Sequence, residues 1–107
     1  MTLYFKNNIP FIEGVNLDDL SKTIETPFYV YSQKKIIDSY EHIKNTLNTN
    51  IYYALKANSN QAIVTLLKSL GAGADVVSIG EIMRALDAGI KPDKIIFEGV
   101  GKSKNDI

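Results

Sequence analysis

From residue 51 onward the chain alternates short apolar runs with amphipathic stretches, and this rhythm constrains the fold more than any other feature. Ile51 to Leu55 reads as a strand. Asn58-Ser59-Asn60 then caps a helix whose Ile63, Leu66, Leu67 and Leu70 share one face, and Gly71 stops it. Ala74 to Ser78 predicts the next strand. Ser78 or Gly80 opens a helix through Ile82, Met83, Ala85 and Leu86, closed by Gly89. Lys91-Pro92-Asp93 is a turn and Lys94 to Phe97 a further strand. Alternation at this spacing argues for an α/β fold of parallel βαβ units. Their connections are right-handed, which leaves an open doubly wound sheet or a closed (β/α)8 barrel. Both gather ligands at the carboxyl ends of their strands. Lys56, Ser78 and the Gly99–Gly101 loop fall at such ends.

The upstream half is less regular. Asn7-Asn8 and Glu13-Gly14 read as turns in an otherwise irregular stretch over residues 1–26, with a short helix between Val15 and Ile24. Thr26-Pro27 breaks the chain, because proline biases its predecessor toward extended geometry. Phe28-Tyr29-Val30-Tyr31 predicts a short strand. Ser32 caps a helix carrying Ile36, Ile37, Tyr40, Ile43 and Leu47 at helical spacing, ended by Asn48-Thr49-Asn50.

Lys56 stands out chemically. It follows an apolar run and precedes an abrupt polar turn. Lysine is depleted in strands and is rarely buried without a partner. An amine delivered to a strand end suits Schiff-base chemistry, since burial lowers its pKa and leaves more free nucleophile. The bland alternative is a rim lysine with its stem on apolar surface and its amine in water. Spacing alone weighs the two evenly. Asp75 and Glu81, six residues apart, also have two readings, of which spacing alone favours the first. They read as a turn acid and a helix N-terminal acid, or as two carboxylates converging on the Lys56 ammonium.

Other chemistries are excluded. A P-loop needs a glycine where Ile96 stands, and Gly99-Val100-Gly101 lacks the third glycine of a dinucleotide fingerprint. The chain has no cysteine and one histidine, His42, so thiolate and multi-histidine metal sites are ruled out within it. Formal net charge is zero, and Arg84 is the one arginine among twelve basic residues, which gives no footprint for nucleic acid. No apolar run approaches the roughly 20 residues of a membrane span. The first residues do not read as a secretory signal, and the expectation is a cytoplasmic protein.

Three blocks carry a family resemblance. Tyr53-Ala54-Leu55-Lys56-Ala57-Asn58, with Ile63-Val64, Leu67 and Gly71, closely resembles the pyridoxal-phosphate attachment signature of the group IV, alanine-racemase-fold decarboxylases. Gly73-Ala74-Asp75-Val76-Val77-Ser78-Ile79-Gly80-Glu81 resembles the diaminopimelate branch of that family rather than the ornithine branch. So does the block from Arg84 to Ile90 and on through Ile96 to Ser103. Thr26 to Tyr31 fits the family's opening.

The resemblance implies pyridoxal 5'-phosphate as cofactor. Lys56 matches the lysine that holds it as an imine, and Asp75 and Glu81 match the acidic pair that contacts that lysine and the cofactor. It implies a (β/α)8 barrel plus a β-rich domain, with residues 1–31 belonging with the latter and 32–107 opening the barrel. It implies decarboxylation of meso-2,6-diaminopimelate to L-lysine by a homodimer with a small amino-acid substrate. The alternatives are another basic amino-acid decarboxylase or racemase on the same barrel, or a non-catalytic pyridoxal-phosphate binding protein. A barrel needs about 250 residues, so the sequence reads as the amino-terminal part of a longer protein. The family's stacking histidine, phosphate loop and substrate arginines are then expected beyond Ile107.

Overall fold

The computed structural model describes residues 3–107, which pack as two compact units, Met1–Ser39 and Tyr40–Ile107.

The first unit is built on an antiparallel meander of β1 (Leu3–Lys6), β2 (Ile9–Ile12) and β3 (Val15–Asn16). Its register pairs Leu3 with Ile12 and Lys6 with Ile9. Asn7 and Asn8 link the first two strands with φ of 51° and 62°, the double left-handed geometry of a tight hairpin. Both sequence-predicted turns are therefore present, but the flanking residues are strands and not irregular chain. The strands are four residues or shorter and Pro10 sits inside β2, which removes a ladder donor and masks the pattern.

The expected short helix is α1 (Leu17–Ser21). Asn16 caps it, its side chain accepting from the Asp18 and Asp19 N–H groups at 2.9 and 3.3 Å. Phe28 to Tyr31 forms no strand, contrary to expectation, and Tyr29 is 90% exposed. Propensity alone does not make a strand; a ladder partner does, and none of the described residues pairs with this run. Ser32 caps α2 (Gln33–Leu47) as predicted, accepting from the Lys35 N–H at 3.0 Å. The Glu13 carboxylate accepts from the Lys34 N–H at 2.9 Å and from the Ser32 hydroxyl.

The second unit carries the predicted βαβαβ run. Strands β4 (Tyr52–Ala54), β5 (Gly73–Val76) and β6 (Ile95–Phe97) form a parallel sheet in that order. Helices α3 (Gln61–Ser69) and α4 (Ile79–Asp87) connect them. Both helices end as the glycines predict. The Gly71 and Ala72 N–H groups reach the Lys68 and Leu67 carbonyls, and those of Gly89 and Ile90 reach Leu86 and Ala85. Gly71 and Gly89 have φ of 101° and 85°, which glycine adopts without a Cβ clash.

The core is Leu55, Val64, Ala74, Val76, Ala85, Ala88 and Ile90, with Tyr53, Ile82, Ile95 and Phe97 packed against it. All the strand residues in that set share one face, so α3 and α4 lie on a single side. Period-two alternation puts Tyr52, Ala54, Gly73, Asp75 and Ile96 on the other face. Ala54, Asp75 and Ile96 form one row across it, in direct register. Beyond β6, Asp106 closes a turn on Ser103. It accepts from the Ser103 hydroxyl and N–H, both at 2.7 Å, and these hold its carboxyl below the usual carboxylate range.

Gly73 is the tightest point of the sheet. A Cβ there would lie 2.6 Å from the Lys94 carbonyl oxygen and 2.6 Å from the Tyr52 ring. Gly73→Ala is expected to destabilise the intact protein by about 1–3 kcal/mol, because the Lys94 backbone, just before β6, must move. Urea unfolding followed by far-UV circular dichroism checks this, and an unchanged midpoint would refute the packing account.

Candidate active site at the carboxyl edge of the parallel sheet

Parallel pairing puts the ends of β4, β5 and β6 on one edge, so the three loops singled out in the sequence do share a rim. Strand β4 stops at Ala54, one residue short of the sequence boundary. Leu55–Ala57 is a single 3-10 turn, so Lys56 sits just past the strand and not in it. Leu55 is completely buried and pins the turn to the core, whereas Lys56 is exposed. The burial expected of this amine is thus not supplied by the described residues.

The chain around the turn is closely tied. The Tyr53 hydroxyl donates to the Asn58 carbonyl at 2.8 Å, closing a loop around Lys56. Asn58 Oδ1 accepts from the Asn60 N–H at 3.0 Å, and Asn60 Oδ1 caps α3 by accepting from the Ala62 N–H at 2.9 Å. Arg84 Nη1 donates to the Ser59 carbonyl at 3.1 Å, and the Gln61 side-chain amide donates to the Arg84 carbonyl at 2.9 Å. The run of small polar residues after Lys56 is therefore a chain of caps and turn closures.

The two acids divide. Asp75 lies inside β5, paired in register with Ala54, two residues before Lys56. Its Oδ1 is buried and has no hydrogen-bond partner. An orphaned buried carboxylate oxygen is costly, and this one is open to a donor from outside the described residues. Glu81 has local work. Its Oε2 accepts from the Val77 N–H at 2.8 Å, while Ser78 Oγ accepts from the Glu81 N–H at 3.2 Å. This is a capping box displaced by one residue, which holds the β5–α4 loop. Among the described residues neither acid forms an ion pair with Lys56.

Gly99 completes the rim. The Glu98 N–H reaches the Val76 carbonyl at 3.0 Å, and a Cβ on Gly99 would sit 2.5 Å from the Val77 carbonyl oxygen. Only glycine lets this loop lie against the end of β5. The sequence alone did not point to the Tyr53–Asn58 closure or to the contacts of Gln61 and Ser59 with Arg84. The hydroxyl of a tyrosine three residues before the lysine was the available signal for the first. The other two contacts join positions more than twenty residues apart and leave no local trace.

Residues 33–107 match the family described as the pyridoxal-binding domain of pyridoxal-dependent decarboxylases. The chain belongs to this family. Diaminopimelate decarboxylase of Helicobacter pylori is 54% identical over 95 residues, covering 86% of this chain and 24% of that protein. That of Aquifex aeolicus is 44% identical over 106 residues, covering 98% of this chain and 25% of the relative. The chain thus spans about a quarter of the length of these curated relatives. A crystal structure of diaminopimelate decarboxylase from M. jannaschii superposes with a TM-score of 0.92 at 35% identity, covering 98% of this chain and 26% of that one. The Helicobacter pylori enzyme complexed with L-lysine superposes at 0.80 with 51% identity, over 85% of this chain and 24% of that one. Of the two folds left open by alternation, the alanine-racemase-like barrel is the one present. The parallel sheet is a fragment of it, and in such a barrel the helix-free face lines the interior.

The residues present fit pyridoxal phosphate. Lys56 offers an exposed amine with no ion-pair partner among the described residues, and Asp75 offers an unsatisfied carboxylate oxygen on the barrel-facing side of the neighbouring strand. No cluster of metal-ligating side chains occurs among the described residues.

The cap at Glu81 can be separated from its charge. Glu81→Gln keeps an acceptor for the Val77 N–H and should leave stability within about 0.5 kcal/mol, whereas Glu81→Ala should cost about 1 kcal/mol. Thermal denaturation of both variants of the intact protein checks this. Equal losses in the two would show that the negative charge, not the cap, carries the effect.

Proposed function

We propose that the intact protein is a pyridoxal-phosphate-dependent decarboxylase that converts meso-2,6-diaminopimelate to L-lysine. The observation that carries this reading is the placing of an exposed Lys56 two residues beyond Ala54, the register partner of Asp75 with its orphaned oxygen, inside a signature shared with diaminopimelate decarboxylases. In this reading Lys56 binds the cofactor aldehyde through its amine. Asp75 receives a hydrogen bond or a cationic charge at Oδ1, and balances the Lys56 ammonium when the amine is released. Glu81 adds a second negative charge to the rim while fixing the loop after Asp75. When bound, pyridoxal phosphate supplies an electron sink for the pair left at the α-carbon as carbon dioxide departs.

The ties on the Lys56 turn limit the positions its amine can reach, which is how a flexible four-carbon side chain becomes a directed nucleophile. The same reading makes the working protein a cytoplasmic homodimer acting on a small amino acid. No helix of the described residues is long and apolar enough to cross a membrane.

Borohydride reduction of the intact protein with pyridoxal phosphate should fix the cofactor on Lys56, read by peptide mass mapping. Label on another lysine would sink the assignment. Lys56→Ala should lower turnover by at least about a thousandfold, with loss of the absorbance of lysine-bound cofactor. Lysine release from meso-diaminopimelate, without turnover of ornithine or arginine, selects this reading over the other decarboxylases. Cofactor binding at Lys56 with no turnover of any amino acid would select the non-catalytic binding protein.

A further inference from the structure

Helix α4 holds two βα loops through side chains almost one turn apart. Glu81 takes the Val77 N–H at the exit of β5, at 2.8 Å. Arg84 Nη1 reaches the Ser59 carbonyl, three residues after Lys56, at 3.1 Å. Gln61, the first residue of α3, donates back to the Arg84 carbonyl at 2.9 Å, so the link to the Lys56 loop is made from both sides. Arg84 is exposed, and its neighbour Ala85 supplies the buried contact with the core. Its side chain therefore acts on the loop by hydrogen bonding at the rim and not by packing.

We infer that α4 is a strut bracing the far side of the Lys56 loop against the β5–α4 loop, in addition to the strand pairing that sets Ala54 beside Asp75, and that Arg84 is the positioning residue at its Lys56 end. The inference rests on the reading of Lys56 as the cofactor lysine. The reasoning is geometric. Leu55 anchors the turn from below, and the Tyr53–Asn58 bond closes it locally. Leu55 shares its core cluster with Ala74 and Val76 of β5, but neither contact ties the far side of the loop, past Asn58, to the β5–α4 loop. The Arg84–Ser59 bond does, because its other end sits on the helix that Glu81 and Ser78 lock to β5. Releasing it should let the turn shift relative to Asp75 while the apolar core stays intact. The rate at which the amine captures the aldehyde should suffer more than the stability of the fold.

The test uses the intact protein, stripped of cofactor and then reconstituted. Arg84→Met keeps an apolar stem and removes the donor, whereas Arg84→Lys keeps one donor, and the contact with Ser59 uses one. Gln61→Ala removes the reverse bond and leaves Arg84 in place. Two readouts are followed: the rate at which the absorbance of lysine-bound pyridoxal phosphate appears, and amide hydrogen exchange across residues 55–62.

Arg84→Met should slow reconstitution about fivefold, the effect of one lost hydrogen bond, and raise exchange in that segment. Its thermal midpoint should stay near that of the unmodified protein. Arg84→Lys should recover most of both signals, and Gln61→Ala should raise exchange in the same segment. Unmodified rate and exchange in Arg84→Met, with borohydride label still on Lys56, would overturn the strut alone. Label on a different lysine would instead overturn the Lys56 reading, and the positioning role with it.

Discussion

The parallel register of β4, β5 and β6 is the constraint on which the rest of this molecule depends. Parallel pairing sends every strand the same way, so each connection must cross back through a helix and every strand exit emerges on one edge. Ala54, Asp75 and Ile96 then stand in a single row. A slip of one residue would turn Asp75 toward the helix layer, where Ala74 and Val76 are completely buried. Burial of those two small apolar residues is thus what keeps Asp75 on the barrel side. The site inherits its geometry from the core.

The fold of residues 51–97 was largely legible because its signals are local. Asn60 and Ser78 cap helices, Gly71 and Gly89 end them, and the apolar runs between are short. What the sequence concealed was pairing. Phe28 to Tyr31 has the composition of a strand and no ladder partner, while Leu3–Lys6 and Ile9–Ile12 look irregular yet pair through an Asn-Asn hairpin. Propensity reports what a segment tolerates; pairing depends on what stands opposite.

The site was legible in part for the same reason. Lys56 and its polar turn are contiguous and can be read along the chain. Its exposure is not, because burial is decided by residues distant in sequence. The clasp of Arg84 and Gln61 on the Lys56 loop joins α4 to the β4–α3 connection, and no periodicity or spacing announces it. The barrel itself became decidable only through relatives. A three-stranded parallel sheet with both helices on one face is common ground between a barrel and half of a doubly wound sheet.

Asp75 and Glu81 enter the sequence reading as an equivalent pair, and the structure breaks that equivalence. Glu81 accepts a backbone N–H at the head of α4, so part of its charge is already satisfied by peptide dipoles and the helix terminus. Asp75 keeps a buried oxygen without a partner in the same row as Ala54. A carboxylate satisfied locally can shape a rim without reacting to what enters it. One left unsatisfied gains most when a donor or a cation arrives. In the function proposed above, the chemistry of ligand capture falls on Lys56 and Asp75, and the geometry that presents them on Glu81 and the helix it caps.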